Sequence, residues 1–218
     1  VTTEQQARHL LVMDVDSTFI TGEVVEMLAA RAGSEPLVTE ITEQAMRGEI
    51  DFAESLHQRV ATLAGLPESV LADVLEEVVL TPGAVELVAE MDRRGWPVGL
   101  VSGGFAEIVE PLAARVGIRL TRANRLEVAD GRLTGRVLGA VVDRAAKAVA
   151  LADYAAASGI PLERTVAIGD GANDLDMLAA AGVGIAFNAK PLVCAAADAV
   201  VRDRLDAVLE LPVFTRGA

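Results

Sequence analysis

The run LLVMDVDST places Asp14 and Asp16 two residues apart at the end of an apolar stretch. Residues so spaced on extended backbone point to one side, which turns two carboxylates toward one site. Like charges at that separation persist with a cation between them, with a shifted pKa, or in full solvation. Taken alone, the pair also fits a solvated turn at a strand end. A second acidic group follows in AIGDGANDLDML, where Asp170, Asn173 and Asp174 sit in a loop that Gly169 and Gly171 allow to be tight. Oxygen ligands in this number suit a hard ion such as magnesium, which takes a few carboxylates and completes its shell with phosphate and water. A turn running into a helix cap uses the same residue types. VSGGF supplies Ser102, Gly103 and Gly104 at a strand-to-helix turn, where a hydroxyl and backbone N–H groups hold an anion, although small-residue turns also occur without one. Lys147 stands in AAKAVAL, in a chain of 17 arginines and 2 lysines. Its compact ammonium suits a phosphate as a point charge; the other reading is an ordinary surface position. There is no GxSxG elbow, Walker loop or complete GxGxxG. His9 and His57 lack the partners of a catalytic triad.

The elements that must position these residues are legible as short apolar runs at Leu10–Met13, Val98–Val101, Thr165–Ile168, Val183–Phe187 and Ala199–Val201, separated by helix-period stretches. Alternation of this kind predicts an α/β fold, a Rossmann-like parallel sheet with helices on both faces and a site at the carboxyl ends of its strands. Residues 20–80 break the alternation. They carry only amphipathic helical pattern, with turn residues at Gly33 to Pro36 and Gly65 to Pro67. The expected organisation is therefore a core of residues 1–19 and 81–218 with a small helical cap, residues 20–80, inserted after the first strand. Between Arg125 and Val137, Asp130-Gly131 predicts an antiparallel flap.

Composition narrows the function classes. The 218 residues are 52% hydrophobic but only 3% aromatic, so the core is built of Ala, Val and Leu. A formal net charge of −13 argues against holding nucleic acid or an anionic membrane, and the expected partner is a small-molecule substrate. No feature sets an oligomeric state. No stretch of about 18 strongly apolar residues offers a membrane span. One cysteine, Cys194, and a polar opening without signal-peptide character make a cytoplasmic location the expectation.

In this order along the chain, DVDST, the Ser102 turn, Lys147 and GDGAND resemble the four motifs of the haloacid dehalogenase superfamily of phosphotransferases, over nearly the whole length. GEVVEML and TEQAMRGEIDFAESLHQRV, with Glu23, Met46, Phe52 and Arg59, are similar to the substrate-recognition pattern of the branch that dephosphorylates phosphoserine. The resemblance implies that Asp14 is the nucleophile that becomes an aspartyl phosphate and that Asp16 is the general acid, then the base. It implies Mg2+ held by the Asp14 carboxylate, the Asp16 carbonyl and Asp170. Lys147, Ser102 and Gly103 would spread phosphoryl charge, with Asn173 beside the phosphoryl group and Asp174 bracing the metal's waters and Lys147. Glu23 would meet an ammonium and Arg59 a carboxylate, while Met46 and Phe52 line an apolar wall. Phe19 departs from the smaller aliphatic usual at its position. Two rivals share these residues: a phosphotransferase delivering the phosphoryl group to an alcohol such as homoserine, and a phosphatase for another small phosphomonoester. The intact pair Asp14 and Asp16 disfavours a non-catalytic binder.

Overall fold

Leu10–Met13 form β1, four consecutive apolar residues that are wholly buried, as a central parallel strand covered on both faces requires. A computed structural model describes residues 8–46 and 49–215, and the side chain of Met46 also lies outside the described residues. After β1 come α1 (Val24–Ala32), α2 (Glu35–Met46), α3 (Phe52–Ala61), α4 (Val70–Glu77) and α5 (Ala84–Arg94), then β2 (Val98–Phe105) and α6 (Ala106–Arg115). The hairpin β3 (Leu120–Ala129) and β4 (Arg132–Leu138) leads to α7 (Arg144–Ser158), followed by β5 (Thr165–Gly169), α8 (Leu175–Ala180), β6 (Val183–Phe187), α9 (Pro191–Ala196) and β7 (Ala199–Val201).

The seven strands make one sheet in the order β4-β3-β2-β1-β5-β6-β7, parallel except for β4. Strand period two divides its side chains between two cores. Leu11, Met13, Val166, Ile168, Ile185 and Phe187 pack under α5 and α6, whereas Leu10, Val12, Ala167 and Ala186 pack under α7, α8 and α9. β1 lies between β2 and β5, so connections leave it in opposite directions. The crevice at such a switch point opens at the carboxyl ends of the strands.

Between Val24 and Glu77 the described residues form helices and no strand. The turns expected at Gly33 to Pro36 and Gly65 to Pro67 are there: Gly33 ends α1 with φ 67°, a left-handed cap that glycine adopts without strain. The two connections to this helical segment run side by side, with Thr21 N–H donating to the Val79 carbonyl and Thr81 N–H to the Phe19 carbonyl, each at 3.0 Å. Phe19 is fully buried there.

Two elements differ from expectation. The 125–137 segment is an antiparallel hairpin, but it begins at Leu120 and its first strand pairs in parallel with β2, so it completes the sheet rather than forming a separate flap. Thr121, Arg122 and Arg125 mask that strand because it is only half-covered. β2 continues through the glycines to Phe105, with an irregularity between Val101 and Phe105; Ser102–Gly104 therefore occupy a bulged strand end. Among the described residues no helix is long and apolar enough to cross a membrane.

Candidate active site

At the end of β1 the chain makes an irregular turn, Val15–Phe19, in which Ser17 takes φ 58°. That tight turn sets Asp14 and Asp16 on the crevice. Asp14 is 4% exposed, and its Oδ1 accepts from Lys147 Nζ at 2.5 Å, which leaves Oδ2 without a protein partner on the cavity. Asp16 Oδ1 accepts from Val24 N–H at 2.9 Å, at the start of α1, and Oδ2 accepts from the Ser102 hydroxyl at 3.0 Å. Ser17 donates to Glu23 Oε1 at 2.7 Å, and Thr18 donates to Asp170 Oδ1 at 3.1 Å.

The loop after β5 and the first turn of α7 close the other side. Asp143 caps α7 by accepting from Ala146 N–H at 2.8 Å, and one turn on, Lys147 is fully buried. Its ammonium bridges Asp14 and Asp174 Oδ1, the latter at 2.7 Å. Burial works to lower the Lys147 pKa, but the two carboxylates outweigh it and hold the group above its ordinary value. Asp174 is saturated: Oδ2 accepts from the N–H groups of Asp170 and Gly171 at 3.2 and 3.0 Å. Asp14 is raised well above the carboxylate range by burial and by Asp174, with Lys147 opposing. Burial also raises Asp16, and burial together with Asp174 pushes Asp170 up to about 6.

Asp14, Asp16 and Asp170 line one cavity of about 480 Å3 with Glu23, Phe52 and Arg59 from the helical segment and Gly103 and Asn173 from the strand ends. Burial, then the charge of Asp16, pushes the Glu23 carboxyl up to about 7. Burial pulls the Arg59 guanidinium below its ordinary value, with Glu23 and Asp16 opposing. Gly103 lies directly under the Phe52 ring, where a Cβ would approach Cζ to 2.8 Å. Ser102 and Lys147 are buried behind the wall rather than on it; the serine hydroxyl accepts from Gly104 N–H at 2.7 Å. Met46 ends α2, and its predicted place on the apolar wall lies outside the described residues. His9 stacks on Trp96 and His57 is exposed.

Several residues of the site carry no mark of their own in the sequence. Ser17 and Thr18 stand only as part of DVDST; they do not line the cavity but donate to Glu23 and Asp170, which do. Arg144 and Lys190 line the rim, and nothing in their local pattern marks them. Both lysines of the chain thus lie at this site.

Asp14, Asp170 and Asp174 present carboxylate oxygens all within 4.8 Å of one another. Such a set of hard oxygen donors fits a hard divalent cation. The raised Asp14 and Asp170 carboxyls point the same way, since a cation relieves the burial and mutual repulsion that raise them. Asp14 and Asp170 each keep one oxygen without a protein partner, whereas both Asp174 oxygens are engaged. The first two therefore suit direct ligation, and Asp174 suits bracing.

A parallel sheet with acidic residues at the tips of β1 and β5, a strand-end anion loop and a buried lysine define a phosphoryl-transfer type of site. The chain belongs to the haloacid dehalogenase-like hydrolase family, whose model matches residues 11–179. It is 56% identical over 97% of its length to a phosphoserine phosphatase of Mycobacterium tuberculosis, and it spans about half (52%) of that protein. It is 53% identical to a phosphoserine phosphatase of Streptococcus thermophilus, over 86% of this chain and 87% of the relative. Among solved structures, a phospho-aspartyl intermediate analogue of phosphoserine phosphatase superposes with a TM-score of 0.88 at 40% identity, covering 94% of this chain and 99% of the other.

Proposed function

We propose that the chain is a cytoplasmic, magnesium-dependent phosphoserine phosphatase that hydrolyses O-phospho-L-serine to L-serine and phosphate through an aspartyl phosphate on Asp14. The observation that carries this reading is that one cavity holds two complementary charge sets: Asp14, Asp16 and Asp170 at the strand ends, and Glu23 with Arg59 opposite. The first set suits a divalent cation and, with it, a phosphoryl group. The second suits an amino acid, with Glu23 for the ammonium and the Arg59 fork for the carboxylate. Phe52 supplies the apolar wall. Residues 20–80 act as a cap on a core of residues 1–19 and 81–218, with hinges near Phe19 to Gly22 and Leu80 to Gly83. The likeness to phosphoserine phosphatases supports the substrate.

Lys147 fixes the Asp14 carboxylate through Oδ1, and that carboxylate forms the bond to phosphorus as the phosphorus–serine oxygen bond breaks. Asp16, whose burial favours the neutral acid, is the general acid for the leaving oxygen. The same carboxylate then takes a proton from the water that attacks the acyl phosphate, releasing phosphate and restoring Asp14. The Gly103 N–H and Asn173 position the phosphoryl oxygens. Ser102 holds the Asp16 carboxyl in place. Asp14, Asp170 and the Asp16 carbonyl would hold magnesium, which when bound offsets the repulsion between carboxylate and phosphate and orients the phosphoryl oxygens.

The test is phosphate release from a panel of phosphomonoesters, with and without magnesium and with homoserine as a competing acceptor. Magnesium-dependent preference for phosphoserine with release of free phosphate is expected. Equal turnover of phosphoglycolate and phosphoserine, or dominant formation of phosphohomoserine, would contradict the assignment.

A further inference from the structure

The cavity face of α3 carries a residue that folding does not explain. Phe52, Ser55, Leu56 and Arg59 line the cavity at helical spacing, and Leu56, Val60 and Leu63 continue the same stripe into the core. Ser55 is 1% exposed. Its hydroxyl is the one buried side-chain oxygen or nitrogen among the described residues without a hydrogen-bond partner. A helical serine ordinarily relieves this by donating to the carbonyl four residues back. Here the Asp51 carbonyl receives the Ser55 N–H at 3.0 Å and not the hydroxyl. A buried, unpaired hydroxyl is costly, and alanine would avoid that cost and favour the helix. The fold thus leaves this hydroxyl unpaired beside the cavity, where a group that enters can complete it.

Its neighbours say which part of the ligand that is. Arg59 Nε donates to the Ser55 carbonyl at 3.3 Å, so the guanidinium stem folds back over this residue. Glu23 approaches from the start of α1, and the phosphoryl-binding groups lie at the strand ends. A carboxylate gripped by an arginine fork still has lone pairs to fill, and a serine hydroxyl at the base of that arginine is a donor of the right kind. We propose that Ser55 is a specificity residue whose hydroxyl donates to the substrate carboxylate beside Arg59; this rests on the phosphoserine reading given above.

The test compares the unmodified chain with Ser55→Ala on O-phosphoserine, on O-phosphoethanolamine, which lacks the carboxylate, and on p-nitrophenyl phosphate, which lacks both amino-acid groups. The KM for phosphoserine is expected to rise roughly tenfold, and the preference for phosphoserine over phosphoethanolamine to fall by the same factor. The unfolding temperature of the ligand-free variant should stay level or rise, because the hydroxyl bonds nothing there. A fall in that temperature would make the hydroxyl structural. An equal loss on all three esters, or no loss on any, would overturn the role of Ser55, and an equal loss on the two amino esters alone would assign the hydroxyl to the ammonium instead. Should the unmodified chain handle phosphoserine no better than p-nitrophenyl phosphate, the proposed function itself fails and Ser55 loses its role with it. The two failures thus differ in which protein shows them.

Discussion

Glu23 is the residue whose ionisation is set most directly by its place in the cavity. Its carboxyl is raised from 4.5 to about 7 by burial and by Asp16, and only the anion can hold an ammonium. In the proposed enzyme, kcat/KM for phosphoserine should therefore fall as pH drops below about 7, and Glu23→Gln should flatten that limb; a pH–rate profile of both proteins checks this. The same shift bears on stability. Between pH 4.5 and about 7 the folded chain keeps a proton that the unfolded chain has released, so this group's contribution turns unfavourable as pH rises through that window. Thermal melts should accordingly show Glu23→Gln stabilising the chain more at about pH 8 than at about pH 5. Arg59→Ala removes a charged hydrogen-bond donor, so the KM for phosphoserine should rise by roughly one to two orders of magnitude, while p-nitrophenyl phosphate should be handled much as before.

At the scale of elements, the helical segment is held by the hairpin as well as by its two connections to the sheet. Gly65 N–H donates to the Leu133 carbonyl at 2.8 Å, and Leu133 N–H donates to the Leu66 carbonyl at 2.9 Å. Gly135 lets β4 approach α3: it takes φ 82°, and a Cβ there would lie 2.9 Å from Ala64 Cβ and 3.2 Å from the Ala61 backbone. Gly135→Ala should thus destabilise by about 1–2 kcal/mol and raise the KM for phosphoserine, because α3 carries Phe52 and Arg59; denaturant unfolding and steady-state kinetics measure the two effects. β1, β5 and β6 were legible because strands buried on both faces are near-continuous apolar runs. The start of β3 was not, since Thr121 and Arg122 stand on its half-covered part and the buried Asn124 is held by donating to the Gly103 carbonyl and accepting from the Val142 N–H. The site follows the same logic. Asp14, Asp16, Asp170 and Asp174 stand at strand ends in local motifs, whereas Arg144, Lys190 and Ser55 reach the cavity through folding alone. Ser55 in particular reads in sequence as one more helix residue, and only its burial without a partner singles it out.

At the scale of the molecule, a chain of net charge −13 gathers carboxylates in one crevice and leaves the deficit of positive charge for a cation to fill. Magnesium should therefore stabilise the fold, by about 2.7 kcal/mol when present at a hundred times its dissociation constant. A melt with and without chelator tests this, and Asp170→Asn should lose most of the response. The account turns on whether the phosphoryl group passes through Asp14, and acid-quenching the chain during turnover of labelled phosphoserine, then mapping the label by peptide mass spectrometry, asks this directly. The label is expected on the Asp14 peptide in an acyl linkage cleaved by hydroxylamine. Asp14→Asn should show none and should lose roughly three or more orders of magnitude in kcat while its circular dichroism stays unchanged. Label on another residue, or an Asp14→Asn protein turning over at the unmodified rate, would contradict the account.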